Sequence, residues 1–152
     1  MVIRPHRQED MPVLLEIWLQ ASLHAYDELP AALWWPHQEA MRDRFLAGSE
    51  IWVLEQAGQI KGFAALQADE LLALYVHPEF QGHGLGAAML GQLKSGHPYL
   101  WLRVCSRNSD IIAFYRHHGF TSCGEQKDPL TGLPELLMEC PPKLVATVCA
   151  LA

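Results

Sequence analysis

The chain has 152 residues, the length of one typical domain, which excludes two large independent cores. Half of the residues are hydrophobic and 18% are charged, so a sizeable core can form and whole-chain disorder is excluded. The 17 acidic and 11 basic residues give a net charge of -6. Because nucleic acids and anionic membranes are bound through clustered Lys and Arg, this balance argues against both as partners. A cationic substrate is compatible with it.

The cysteines and the N-terminus predict a reducing, cytoplasmic location. Residues 1–10 are polar and lack the apolar segment of a signal peptide. The four cysteines are widely spaced and form no Cys-x-x-Cys motif. They are Cys105, Cys123, Cys140 and Cys149. Eight histidines are present, but no two pairs have zinc-ligand spacing, so we expect no metal.

The first half of the chain predicts a strand, two helices and three further strands. After a strand around Val2, apolar residues spaced i, i+3, i+4, i+7 predict a helix over 11–21. A second helical region, interrupted by prolines, ends at Gly48. From Ile51 the apolar period changes to that of strands. Turns at 57–58 and 68–69 divide this region into three antiparallel strands, 51–54, 60–66 and 71–76.

The second half predicts a parallel strand pair and a closing hairpin. A helix over 84–93 connects the third strand to a strand over 99–104, and this βαβ unit makes the two strands parallel. A helix capped by Asn108 or Ser109 then ends at Gly119. Two more strands are expected at 120–123 and 133–140. We therefore predict an α+β fold, a mixed and mostly antiparallel sheet flanked by about four helices. Residues 1–140 form one domain, and residues 141–152 form a flexible or interfacial tail.

Three glycines at alternate positions mark the junction between the third strand and the next helix. They lie in Gln81-Gly82-His83-Gly84-Leu85-Gly86. Such a loop lets backbone N–H groups converge on an anion at a helix N-terminus, and a pyrophosphate fits that description. The overlapping stretch Gly82-His83-Gly84-Leu85-Gly86-Ala87 also matches the dinucleotide pattern G-x-G-x-x-G/A. However, five residues separate it from its strand, and no acidic residue ends the following strand.

This loop resembles the acetyl-CoA loop Gln/Arg-x-x-Gly-x-Gly/Ala of the GNAT superfamily of N-acetyltransferases. The lead-in Leu74-Tyr75-Val76-His77-Pro78 is similar to that of the family, as are Asn108, Ala113-Phe114-Tyr115 and Gly119-Phe120. The resemblance covers roughly residues 2–140 and implies a GNAT-like fold. It also implies acetyl-CoA as co-substrate and direct transfer of the acetyl group to a primary amine.

The resemblance implies a role for each matching residue. The backbone of Leu74 and Val76 would pair with the pantetheine arm, and the Val76 N–H would polarise the thioester carbonyl. Tyr115 would protonate the leaving thiolate, although a packing role for this aromatic residue stays open. Glu70 would accept the amine proton through water, with a solvated surface charge as the alternative. The residues expected to contact the cofactor are Gln81, Gly82, His83, Gly84, Leu85, Gly86, Asn108 and Tyr115.

The acceptor is less constrained than the donor. In the family the segment between the first two helices lines the acceptor groove, so Tyr26, Asp27 and Glu28 are expected to hold a cationic amine. A small-molecule amine, a protein lysine and a protein N-terminus fit equally. A longer acyl group, or a catalytically silent CoA-binding module of the same fold, are alternatives. A homodimer through the apolar tail is also compatible with the sequence.

Overall fold

The computed structural model describes residues 1–25, 38–46, 48–129 and 132–141, which contain both helices and strands. The α-helices of this part are α1 (Met11–Ala25), α2 (Gln38–Leu46), α3 (Leu85–Gly96) and α4 (Ser109–His117). The strands are β1 (Val2–Pro5), β2 (Glu50–Gln56), β3 (Gln59–Gln67), β4 (Glu70–Val76), β5 (Leu100–Cys105), β6 (Thr121–Lys127) and β7 (Pro134–Cys140). None of these four helices has the length and apolar run that a transmembrane segment requires.

The seven strands form one mixed sheet in the order β1-β2-β3-β4-β5-β7-β6. The β1–β2, β2–β3, β5–β7 and β6–β7 pairs are antiparallel. The β4–β5 pair is parallel and joins Glu70 to Trp101 and Leu71 to Leu102. The α+β class, the mostly antiparallel sheet and the parallel β4–β5 pair are therefore confirmed. The predicted tail, except for Pro141, lies outside the described residues.

The prediction for β6 was too short. The sequence places this strand at 120–123, but it runs from Thr121 to Lys127 and carries a register shift between Ser122 and Gly124. Of its seven residues, all but Gly124 are exposed. An exposed strand at the sheet edge has no buried face, so the alternation that marks other strands is absent from its sequence.

The described chain forms two compact units by its internal contacts. The first comprises Met1–Ala68 and Leu72–Leu93, and the second comprises Asp69–Leu71 and the described residues from Lys94 onward. In the first unit, α1 buries its apolar face. Leu14 and Trp18 lie in one buried cluster with Phe63 of β3. Leu14 is fully buried, and replacing such a leucine by alanine costs about 3 kcal/mol.

In the second unit, β5 alternates between a buried face and a half-exposed face. Leu100, Leu102 and Val104 are buried, whereas Trp101 and Arg103 between them are half-buried. This is the period of 2 expected of a strand with one core-facing side. Because Glu70 pairs with Trp101, the register brings Glu70 beside Arg103, two residues further along the same face.

A β-bulge interrupts the pairing of β2 with β3. Leu54 pairs with Gly62 but Glu55 pairs with Ile60, so Lys61 is an extra residue on β3. A bulge of this kind bends a strand locally and re-aims the groups next to it. Its position is opposite the end of β4, where the predicted cofactor residues begin.

Candidate active site

The end of β4 is fixed by a backbone hydrogen bond to the β3 bulge. The His77 N–H donates to the carbonyl of Lys61 at 2.9 Å. Successive residues of an extended chain direct their backbone groups to opposite sides, so the Val76 N–H points away from β3. The Val76 carbonyl accepts from Nε2 of Gln81 at 2.9 Å. The first residue of the glycine loop is thus hydrogen-bonded to Val76, the residue whose N–H is the predicted oxyanion donor.

A short 3-10 helix, Pro78–Phe80, connects β4 to the glycine loop. The Phe80 N–H donates to the His77 carbonyl at 2.8 Å, and the Glu79 N–H donates to Nδ1 of His77 at 3.2 Å. The Lys61 ammonium lies over the Phe80 ring, 4.5 Å from its centroid. These contacts fix the conformation of the four residues, His77 to Phe80, that lie between β4 and Gln81.

The glycine loop has the backbone geometry of an anion site. Gly82 and Gly84 have φ values of +82° and +79°, a region that glycine occupies at little cost. A Cβ built on either glycine meets nothing within 4 Å, so the space above the loop is open. α3 begins at Leu85, and the Ala88 N–H donates to the Gly84 carbonyl at 3.0 Å. The preceding N–H groups of the first turn have no partner within the helix and favour an anion there.

This geometry fits a pyrophosphate. The predicted residues Gln81 to Gly86 form one continuous loop and helix start, in which His83 is exposed and Leu85 is buried. His83 Nδ1 lies 3.2 Å from the Phe80 carbonyl. No side chain of the loop carries a negative charge that would repel a phosphate. CoA binding here stays a prediction, and the loop supplies the donors that it needs.

α4 positions the two other predicted cofactor residues. Asn108 caps the helix, since its Oδ1 accepts from the Ile111 N–H at 3.2 Å. Tyr115 is buried, with 6% of its surface exposed, and its ring lies edge-on to Phe114 and Phe120. A buried phenol of fixed orientation is compatible with the predicted acid and also with core packing.

Glu70 has a cationic partner that sequence analysis missed. Arg103 Nε lies 3.0 Å from Glu70 Oε2, and Arg103 NH2 donates to Oε1 at 3.4 Å. The side chain of Glu70 is 12% exposed and that of Arg103 is 31% exposed. The alternative of a freely solvated surface charge is therefore excluded for Glu70. The signal was available in principle, because a parallel β4–β5 register brings both residues to one face.

The surroundings shift the pKa values of two side chains of the second unit, Tyr99 and His118. Burial raises the pKa of Tyr99 well above its ordinary value, and its hydroxyl donates to Glu139 Oε2 at 2.6 Å, which adds to this rise. Burial lowers the pKa of His118, with further contributions from His117 and Lys94. Tyr99 and Glu139 therefore form a hydrogen-bonded pair that sequence analysis did not single out.

The predicted acceptor residues Tyr26, Asp27 and Glu28 lie outside the described residues. Within the described ranges, no group of three or more His, Cys, Asp and Glu side chains is arranged to hold a metal ion. Cys105, Cys123 and Cys140 are outside disulfides.

Comparison with known proteins shows that this chain is similar to acetyltransferases. Residues 47–122 match the sequence model of the Acetyltransferase (GNAT) domain. Peptidyl-lysine N-acetyltransferase YiaC of Escherichia coli (strain K12) is 31% identical over 143 residues, which are 92% of this chain and 97% of YiaC. Peptidyl-lysine N-acetyltransferase YjaB of the same strain is 28% identical over 137 residues, covering 90% of this chain and 92% of YjaB.

Solved structures share the fold. The solution structure of apo-form YjaB from Escherichia coli superposes with a TM-score of 0.80 at 28% identity, covering 91% of this chain and 97% of that chain. The crystal structure of the ribosomal-protein-S18-alanine N-acetyltransferase from Escherichia coli has a TM-score of 0.69 at 25% identity and covers 91% of both chains. The predicted fold is thereby confirmed.

Proposed function

This chain belongs to the GNAT family of N-acetyltransferases, and on that premise we propose that it acetylates lysine side chains of peptides or proteins with acetyl-CoA as the donor. The observation that carries the proposal is the coupling of β4 to the glycine loop. Gln81 bonds the Val76 carbonyl, while the Val76 N–H points away from β3. A donor for the thioester carbonyl and a cradle for the pyrophosphate therefore belong to one connected segment.

The donor half of the proposal rests on backbone groups. Gly82 and Gly84 leave open space in front of the first turn of α3, where a pyrophosphate would accept N–H hydrogen bonds. The parallel ladder between β4 and β5 ends at Leu71. The later residues of β4, Leu74 and Val76 among them, then offer backbone groups to the amides of the pantetheine arm. Asn108 and Tyr115 are the proposed contacts from α4.

The chemistry requires three functions. The Val76 N–H stabilises the negative charge that develops on the thioester oxygen when the amine attacks. A lysine amine of pKa ~10.4 is only ~1 part in 2,500 neutral at pH 7, a handicap of ~4.6 kcal/mol, so its proton must be accepted. Glu70 takes this proton through water, and Tyr115 donates a proton to the departing thiolate.

Lysine is the acceptor that the comparisons favour. YiaC and YjaB, each matched along almost its whole length, are both named peptidyl-lysine N-acetyltransferases. The net charge of -6 also suits a cationic peptide. The cysteine thiols are consistent with a reducing, cytoplasmic location. A protein N-terminus is the second candidate, because a relative of the same fold acts on the S18 alanine.

A panel of acceptors tests this proposal. CoA release from acetyl-CoA is followed with an N-terminally blocked lysine peptide, an unblocked peptide with Arg in place of Lys, and a diamine. We expect the blocked lysine peptide to have the largest kcat/KM. Faster turnover of the unblocked Arg peptide would assign the chain to N-termini. If the chain binds CoA but releases none from acetyl-CoA with any acceptor, it is a catalytically silent module. Faster turnover with a longer acyl-CoA would show that the preferred acyl donor is not acetyl-CoA.

A further inference from the structure

We infer that Gly62 of β3 is a positioning residue for acetyl transfer, because its missing side chain sets the direction of the Val76 N–H. The inference rests on the proposed function, in which this N–H polarises the thioester carbonyl. Gly62 lies outside the glycine loop, and the atoms nearest to a Cβ built on it belong to Tyr75 and Val76. It lies on β3, next to the bulge residue Lys61.

Gly62 allows an unusually close approach of two backbones. A Cβ built on it would lie 2.8 Å from the carbonyl oxygen of Tyr75, 3.4 Å from Val76 Cγ2 and 3.5 Å from Val76 Cα. The first distance is shorter than real Cβ contacts, and the atom it meets is backbone, which cannot rotate away as a side chain would. A methyl group at this position must therefore displace either β3 or the Tyr75–Val76 peptide.

The backbone conformation gives no other reason for glycine at this position. Gly62 is absent from the positive-φ residues of the described chain, which include Gly58, Gly82 and Gly84. Residues with side chains adopt its conformation without strain. The steric contact with Tyr75 is the specific reason for glycine here.

The contact reaches Val76 through a single peptide plane. The Tyr75 carbonyl and the Val76 N–H belong to the same peptide group, which is planar and trans, so they point in opposite directions. The carbonyl is directed at Gly62, and the N–H is directed away from β3. Any rotation that moves the carbonyl off a new methyl group turns the N–H by the same angle. Hydrogen bonds weaken steeply with such misalignment.

The bulge fixes the next peptide plane as well. The Lys61 carbonyl accepts a hydrogen bond from the His77 N–H at 2.9 Å, and that N–H belongs to the Val76–His77 peptide. β3 thus controls the planes on both sides of Val76, one through a hydrogen bond and one through close packing. The extra residue in β3 brings Lys61 and Gly62 into these two positions together.

The experiment compares Gly62→Ala with Gly91→Ala. Gly91 lies in α3, and a Cβ on it meets nothing within 4 Å, so this control has the same chemical change without the contact. We expect Gly62→Ala to lower kcat by ~10- to 100-fold, as a misdirected oxyanion donor does. The Kd for CoA, to which the unaltered glycine loop and the other proposed CoA contacts contribute, should change less than about 3-fold. Gly91→Ala should keep the kcat and the Kd for CoA of the wild type.

A second measurement reads the N–H itself, and its first comparison needs only the wild type. Amide NMR spectra of the wild-type chain are recorded with CoA and then with acetyl-CoA, which differ by the acetyl group that carries the thioester carbonyl. The Val76 amide should move between the two complexes in the wild type and in Gly91→Ala, and this difference should shrink in Gly62→Ala. The residues 81–86 should shift with either ligand in all three proteins.

The outcomes separate the inference from the proposed function. Shifts at 81–86 with no CoA-to-acetyl-CoA difference at Val76 would overturn the inference and leave the cofactor site intact. A folded Gly62→Ala variant with kcat within about 3-fold of wild type would overturn it as well. If the wild type binds neither ligand, the proposed function fails and the inference fails with it. If Gly62→Ala does not fold, the wild-type comparison of the two complexes decides.

Discussion

Arg103 of β5 contacts the carboxylate of Glu70 on the neighbouring parallel strand β4. Its Nε lies 3.0 Å from Oε2, and its NH2 donates to Oε1 at 3.4 Å. The shorter contact is ionic, because its geometry leaves Nε without a hydrogen-bond partner. A carboxylate has about four acceptor sites, so Arg103 leaves room for a water on the same oxygens. Arg103 therefore orients the Glu70 carboxylate and leaves some of its acceptor sites free for water. This arrangement suits a base that acts through water.

Glu70→Gln should separate this base role from simple pairing. Glutamine keeps an oxygen for Arg103 but cannot take a proton, so we expect kcat to fall ~10²-fold at pH 7 with little change in KM for acetyl-CoA. Glu55→Gln is the matched control, since Glu55 also pairs with an arginine, Arg4, at 3.4 Å. Steady-state kinetics with a lysine peptide measures both variants. A similar loss of kcat in both variants would mean that Glu70 has only a structural role.

The buried Tyr115 and the half-buried Tyr99 should respond in opposite ways to loss of the hydroxyl. Tyr115→Phe should lower kcat by ~10²- to 10⁴-fold while the thermal melt stays near that of the wild type, because the ring packing is retained. Tyr99→Phe should cost about 2 kcal/mol of stability, since Glu139 loses a charge-assisted hydrogen bond, with kcat nearly unchanged. Steady-state kinetics and a thermal melt of each variant measure the two effects. A Tyr115→Phe variant with kcat within a few-fold of wild type would leave water as the acid.

The glycine loop can be tested with one negative charge placed at two positions. Gly84→Glu adds a charged side chain in front of α3, at a φ of +79° that side chains rarely adopt. CoA affinity should fall at least ~100-fold, about 3 kcal/mol. Gly91→Glu places the same charge later in α3 in open space and should bind CoA nearly as the wild type does. Calorimetry measures both, and equal affinities would contradict the pyrophosphate site.

The Arg4–Asp10 pair predicts how stability depends on pH. The hydrogen bond from Arg4 holds the pKa of Asp10 below its ordinary value, although burial acts in the opposite direction. A lowered pKa means that this stabilisation is present above about pH 4, the unfolded value, and is lost as the pH falls through the folded pKa. Asp10→Asn should cost ~2 kcal/mol at pH 7 and less at pH 3. Urea unfolding at both pH values tests this, and an equal difference at both would contradict it.

The sequence predicted the elements whose residues carry a periodic or capping signal. α1 and β5 have one buried face, Asn108 caps α4 as expected, and Gly119 has the positive φ of a helix end. β6 lacks such a signal because it is exposed on nearly all its length. Local patterns report burial and turns, and they identify the edges of a sheet poorly.

The parts of the site that escaped prediction depend on register. The Glu70–Arg103 pair follows from the β4–β5 alignment, and the roles of Lys61 and Gly62 follow from one extra residue in β3. A shift of one residue in either pairing would give different neighbours. Residue types and spacing identified the glycine loop, whereas the contacts that aim Val76 required the strand pairing itself.

A single-turnover reaction tests direct transfer to lysine most directly. The enzyme is mixed with acetyl-CoA labelled in the acetyl group and with an N-terminally blocked lysine peptide, then quenched at successive times. We predict that free CoA and Nε-acetyl-lysine appear at the same rate, while the intact mass of the protein stays unchanged. Label on the protein before it reaches the peptide, for instance as a thioester at Cys105, would contradict direct attack. Release of CoA without acetyl-lysine would contradict the function itself.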